Sequence, residues 1–185
     1  MSFTIQPLTA APSAADLDDL AALVCDMVAS GASVGFMPPI DAQRYAGYWR
    51  EVVVDLAAGT RVLLVARVGG RIVGTAQLAL ATRENSLHRA EVQKILVHRA
   101  HRRQGIATAL MTALEDTARA RGRTCLFLDT GASGNAQGVY QRCGYTRVGT
   151  IPRFALNPDG TYCDTVYYYK LLEPLAAAKA EGLKS

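Results

Sequence analysis

Residues 92–107 carry an apolar run into a basic turn, His98-Arg99-Ala100-His101-Arg102-Arg103, and then into Gln104-Gly105-Ile106-Ala107, where a helical pattern begins. A helix that opens just after a turn leaves its first N–H groups unpaired and points the positive end of its dipole outward, which is the chemistry of an anion site. Gly105 lets an anion approach the main chain closely, and Ala107 keeps a nearby position small. Arg99, Arg102 and Arg103 are expected to supply mobile positive charge at the mouth. The spacing predicts a diphosphate ligand; the alternative is an exposed basic turn with a helix-opening glycine. Neither a Walker loop nor a Gly-x-Gly-x-x-Gly dinucleotide loop occurs.

The elements that must position this loop are legible from periodicity. Residues 3–8 alternate as a first strand, Ser13 can cap a helix over 14–29, and Asp41 a second helix to about residue 58. Residues 31–39 form a loop of small residues between the helices. Two β-rich runs, 61–68 and 71–80, flank Gly69-Gly70 as a hairpin. A further strand, 91–98, leads through the basic loop into a helix over about 104–120, and residues 125–128 form a short buried strand with Asp129 at its C-terminal end. A short helix over 135–142, a strand over 144–150 and a last strand over 162–172 complete the order. The division is one domain over residues 1–173 and a tail over 174–185.

With 185 residues, half of them hydrophobic, the chain is long enough for one substantial core. The net charge of +4 is concentrated in residues 99–103, without interleaved aromatic residues, so no nucleic-acid partner is expected. No apolar run is long enough to span a bilayer, and no membrane partner is expected. Cys25, Cys125, Cys143 and Cys163 are widely spaced and no signal peptide precedes them, which predicts a cytoplasmic protein. His98 and His101 lack further ligands, so they are expected at the surface and no metal is expected.

Arg102-Arg103-Gln104-Gly105-Ile106-Ala107 resembles the (Gln/Arg)-x-x-Gly-x-(Gly/Ala) signature of the GCN5-related N-acetyltransferases, the GNAT superfamily. The order β-α-α-β-β-β-α-β-α-β-β matches that fold along nearly the whole chain, and Asn135-x-x-x-x-Tyr140-x-x-x-Gly144-Tyr145 resembles a second family segment. The resemblance implies an α/β (α+β) fold with a central mixed, mostly antiparallel twisted sheet, flanked by helices and splayed between its fourth and fifth strands. It also implies acetyl-CoA as co-substrate, its pyrophosphate on Arg102 to Ala107. The thioester carbonyl would lie near the N–H groups of Ile95, Leu96 and Val97, and Asn135 would hydrogen-bond the cofactor arm. Three segments, 31–36, 88–94 and 128–130, are similar to the tabtoxin-resistance branch, whose members acetylate an amine of a small amino-acid-like antibiotic.

Acetyl transfer to an amine needs a fixed thioester, a free nucleophile and a proton for the departing sulfur. By the family's spacing Tyr140 is the acid; otherwise it is a core tyrosine. For the base there are two carboxylates, Glu91 and Asp129, on neighbouring strands. Each has an alternative role, Glu91 as an edge charge and Asp129 in an Asx turn or helix cap. The acceptor pocket should draw on residues 30–39 and on the second helix, including Trp49, with Asp41 and Arg44 able to orient a zwitterion, unless Phe36 and Trp49 are simply core. Cys125 and Cys143 are poor covalent relays.

The expected function is therefore N-acetylation of a small-molecule amine, an amino-acid-like metabolite or an antibiotic or toxin, by direct attack in a ternary complex. The enzyme is expected to be a monomer or homodimer. The alternatives are a protein or peptide N-acetyltransferase and a non-catalytic acetyl-CoA-binding sensor.

Overall fold

The computed structural model describes residues 2–133 and 136–173. Helix α1 (Ala14–Ala29) is pinned by a reciprocal cap: the Asp16 N–H donates to Ser13 Oγ and the Ser13 N–H to the Asp16 carboxylate, both at 3.1 Å. Helix α2 (Ala42–Ala57) is capped by Asp41, whose Oδ1 accepts from the N–H groups of Gln43 and Arg44 at 2.8 and 3.2 Å. The strands are β1 (Thr4–Pro7), β2 (Arg61–Val68), β3 (Arg71–Leu80), β4 (Arg89–Val97), β5 (Cys125–Gly131), β6 (Thr146–Leu156) and β7 (Tyr162–Leu171). They form one mixed sheet in the order β1-β2-β3-β4-β5-β7-β6, in which only β4 and β5 run parallel. Gly69 and Gly70, both at positive φ, close the β2–β3 hairpin.

Each face of the sheet has its own core. Helix α3 (Ile106–Ala120) and the short α4 (Gln137–Arg142) cover one face, where Leu110, Leu114, Leu126, Leu128 and Tyr168 are buried together. On the other face α1 and α2 bury Leu20, Leu23, Tyr45 and Trp49 against Leu63, Val65 and Leu96.

Several boundaries differ from those the sequence predicts. Strand β5 runs on to Gly131 because Asp129, Thr130 and Gly131 pair with Tyr167, Val166 and Thr165 of β7, so Asp129 lies within a ladder and not in a terminal turn. Strand β6 is longer than expected, since its pairing with β7 persists to Leu156 opposite Tyr162. Helix α3 starts at Ile106 and not at Gln104, because Arg99–His101 forms a 3-10 turn and both Arg103 and Gly105 take left-handed backbone. Residues 174–185 lie outside the described residues.

Two irregularities matter for the site. Strands β4 and β5 pair only at Arg89, Ala90 and Glu91 against Cys125, Leu126 and Phe127, and then part. Between β3 and β4, Thr75 faces Leu96 while Gln77 faces Gln93, so β4 holds one extra residue. That bulge puts Lys94 at φ 49, a left-handed conformation that costs a non-glycine residue about 1–2 kcal/mol.

Candidate active site

Side chains alternate across a strand, so the faces packed by their neighbours locate the candidates. Ala90, Val92, Leu126 and Leu128 point into the core under α3 and α4. Glu91 and Asp129 therefore point to the opposite face, the side of α1 and α2. Tyr140, on α4, belongs to the first face. The parted strands open a gap between them, so Tyr140 and the carboxylates sit on opposite sides of that gap.

Their environments suit opposite tasks. Tyr140 is buried, and burial together with the charge of Asp129 pushes its hydroxyl well above the usual tyrosine range, with Thr130 pulling weakly the other way. The phenol therefore keeps its proton throughout the physiological range and is available to give it. Asp129 stays open to solvent, yet partial burial of its carboxyl and the neighbouring charge of Glu91 raise it above the usual carboxylate range, against the pull of Lys94. A raised carboxylate is a better proton acceptor, which is what a base requires. Glu91 borders a hollow of about 220 Å³ with Arg89 and Phe127. A larger cleft of about 470 Å³, lined by Gly31, Ser133 and Asn157 among others, touches none of the three candidates.

At the anion loop Gly105 has φ 82 and α3 begins without a side-chain cap. A Cβ built on Gly105 meets nothing within 4 Å, so the space before the helix terminus is open. Gln104 and Arg103 are exposed, Ala107 half-buried and Ile106 buried, so Ile106 contributes only its main chain to that space. The arginines correct one expectation, since two of the three are not mobile. The Arg99 N–H donates to Asp26 Oδ2 at 3.0 Å, and its guanidinium pairs with the same carboxylate. Arg102 donates from Nε to the Val97 carbonyl at 3.1 Å, with Nη2 3.8 Å from Asp26. His98 is also no idle surface residue, because it caps the 3-10 turn and lies 3.7 Å from Asp26. His101 is only half-buried, yet its Nδ1 is buried without a partner. Asn135 lies outside the described residues.

Burial opposes the charge on Asp26, but the backbone and side-chain hydrogen bonds of Arg99 and the charge of His98 hold its carboxyl below the usual carboxylate range. A depressed folded pKa means that Asp26 stabilises the fold above the unfolded value of about 3.9 and ceases to do so as pH falls through the folded value. Asp26→Asn is expected to lower Tm at neutral pH and to lose less further Tm on acidification than the parent. Parallel Tm–pH curves for the two proteins would contradict this.

The residues expected on the acceptor side are found there only in part. Trp49 is fully buried and belongs to the core, not to the pocket. Asp41 is committed to capping α2. Tyr48, which precedes Trp49 on the helix, turns toward the site instead: its hydroxyl is 3.3 Å from Gln77 Oε1, and its ring packs edge-on against Phe36 at 5.3 Å. Arg61 fixes the same polar cluster, donating to Gln77 at 2.9 Å and Gln93 at 2.7 Å and pairing with Asp55 at 3.0 Å. The residue missed altogether is Lys94, whose Nζ lies 5.6 Å from the Tyr48 ring centre and 5.9 Å from that of Phe36. Its signal was a lysine inside the apolar run Val92-Gln93-Lys94-Ile95-Leu96-Val97.

The family model described as the acetyltransferase (GNAT) family matches residues 35–145, which span the gap, the anion loop and Tyr140. The chain belongs to the GNAT acetyltransferase family. An uncharacterized N-acetyltransferase from the hisH-hisA intergenic region of Azospirillum brasilense is 35% identical over 116 residues, 62% of this chain and 67% of that protein. The fold is similar to a ribosomal-protein-alanine N-acetyltransferase from Brucella melitensis, with TM-score 0.76, 24% identity and coverage of 91% and 99% of the two chains. It is also similar to a phosphinothricin acetyltransferase from Sinorhizobium meliloti in complex with acetyl-CoA, with TM-score 0.75, 19% identity and coverage of 99% and 96%.

The Sinorhizobium meliloti neighbour is solved with acetyl-CoA, and features of this GNAT acetyltransferase would suit the same co-substrate. The open space before α3 can receive a diphosphate, and the edge of β4 beyond Glu91 is unpaired by β5 and free to meet an extended pantetheine arm. Burial raises the Cys143 thiol above its usual range, which keeps it protonated and unsuited to carry an acetyl group. Among the described residues no cluster of His, Cys, Asp and Glu could hold a metal ion, and no helix is long and apolar enough to cross a membrane.

Proposed function

We propose that this acetyltransferase transfers acetyl from acetyl-CoA to the amine of a small amino-acid-like molecule, by direct attack in a ternary complex. The observation that carries the reading is the closure of the acceptor side. The Ser33 hydroxyl of the α1–α2 loop donates to the Leu156 carbonyl of β6 at 2.9 Å, while Phe36 folds onto Tyr45 and Tyr48. A loop fastened across the sheet restricts the acceptor side, where an extended peptide would need an open groove. In this reading Glu91 and Asp129 hold the ammonium and accept its proton on one side of the gap. The N–H groups of Ile95 to Val97 hold the thioester carbonyl, Asn135 the cofactor arm, and Tyr140 protonates the thiolate on the other side.

The same reading makes residues 1–173 one acetyltransferase domain with 174–185 as a tail, and the enzyme a cytoplasmic member of the tabtoxin-resistance type. The decisive assay is release of free CoA thiol from acetyl-CoA with free amino acids, simple amines and peptides in parallel. Turnover of the small amines above that of peptides is expected. Peptide N-termini as the better acceptors would overturn the proposal.

Gly105→Val tests the anion loop. A β-branched residue strains against the left-handed backbone and places methyl groups in the open space the diphosphate needs. Calorimetric titration is expected to show Kd for acetyl-CoA raised about tenfold or more, equivalent to at least ~1.4 kcal/mol. Parental affinity in a folded variant would remove the assignment.

A further inference from the structure

Lys94 stands where a glycine would relax the backbone, at φ 49 in the β4 bulge, so its side chain is retained against a conformational cost. Its ammonium is half-buried between the Tyr48 and Phe36 rings, and a Cβ built on Gly35 would come within 3.5 Å of it. The Lys94 carbonyl accepts from Thr75 Oγ1 at 2.9 Å, but among the described residues its ammonium has no hydrogen-bond or ion-pair partner. Two further cations near it are committed, while Arg89, beside Glu91, lies over the Phe127 ring at 5.5 Å. Arg61 is tied to Asp55, Gln77 and Gln93, and Arg44 lies over the Phe36 ring at 5.9 Å, with Nη1 3.4 Å from the Met37 carbonyl. The anionic groups that face Lys94 are Asp129 and Glu91, which act on it without touching it.

The geometry points to Lys94 as the specificity-determining residue that receives the carboxylate of the acceptor, so that the site recognises an amino acid by both of its charges. This rests on the small-amine reading above. An α-amino acid carries an ammonium and a carboxylate a few ångströms apart, and the pocket offers the complementary order, Glu91 and Asp129 for the cation and Lys94 for the anion. Burial lowers the Lys94 ammonium below the usual lysine range, and an anionic guest would offset that penalty. Phe36 and Tyr48 hold the side chain in place, Tyr48 being fixed in turn by Gln77.

The test compares kcat/KM for free L-amino acids with kcat/KM for the matching neutral amino-acid amides, in the parent and in Lys94→Met, Lys94→Asn and Lys94→Arg. Asparagine tolerates left-handed backbone, so Lys94→Asn removes the charge without added strain. The parent is expected to prefer the acids, Lys94→Met and Lys94→Asn to lose that preference by about tenfold or more through KM, and Lys94→Arg to recover it. Equal use of acids and amides by the parent overturns the assignment while leaving small-amine acetylation standing. So does an equal loss on both acceptors in the variants, which would make Lys94 a tuner of Asp129. Turnover of peptides with neither acids nor amides would sink both readings together.

Discussion

Tyr140→Phe is expected to lower kcat by about 10²-fold or more while sparing the fold and the affinity for acetyl-CoA. Only the hydroxyl is removed. The ring stays packed against Tyr168, 5.9 Å away centre to centre, and against Tyr145 at 6.3 Å, so the core under α4 keeps its shape. The hydroxyl holds its proton more tightly than an ordinary tyrosine because it is buried and feels Asp129. It therefore remains a donor across any practical assay range, and the variant should be impaired at every pH by a similar factor. Single-turnover acetyl transfer, which isolates the chemical step, is the measurement. Parental rates there would leave Tyr140 a packing residue.

The carboxylates should respond differently. If Asp129 accepts the amine proton, Asp129→Asn loses kcat/KM by about 10²–10⁴-fold at neutral pH and regains part of it as pH rises and the free amine becomes abundant. Its stability should move the other way. Partial burial and then Glu91 raise the folded pKa of Asp129, so the folded state binds that proton more tightly than the unfolded chain. Such a group costs stability once pH exceeds its unfolded value, and the amide should match or exceed the parental Tm at neutral pH. A structural carboxylate would show a lower Tm instead. Glu91→Gln removes a repelling charge, lowers the pKa of Asp129 and should shift the acid limb of kcat/KM toward lower pH. Profiles of both variants parallel to the parent, in stable proteins, would leave desolvation of the substrate amine as the better account.

The parts of this molecule that sequence reasoning located well are those whose cause is local. Ser13 and Asp16 cap α1 within three residues, and Gly69-Gly70 closes a hairpin whose register follows from two adjacent positive-φ glycines. The order of elements could be anticipated because motifs and periodicity agreed, and the parted strands because the resemblance to the GNAT superfamily implied them. What escaped depends on partners distant in the chain. Asp26 captures Arg99 across 73 positions, and nothing around residue 99 announces that its charge is spent. Whether Tyr48 or Trp49 faces the site depends on the rotation of α2 about its axis, which is set by packing on Leu63 and Val65. Lys94 was hidden for a related reason. Its direction follows from the one-residue excess of β4 over β3, a property of the pairing and not of the segment. Asp129 was placed at a strand end because its pairing with Tyr167 is equally invisible from residues 125–131.

The opening between β4 and β5 also divides the labour of heredity. In the function proposed above, one side of the sheet would meet the nucleotide through the start of α3 and through Tyr140, while the other would meet the acceptor through residues 30–48 of an earlier stretch of chain. Substitutions in that earlier stretch can change which amine is chosen without disturbing how the thioester is held or how the sulfur is protonated. Strands β4 and β5 belong to both, β4 with Lys94 facing one side and Ile95 packed toward the other, β5 with Asp129 on one side and Leu128 on the other. Selection for a new acceptor therefore has ground of its own on which to act, and the path to a new substrate need not pass through a dead enzyme.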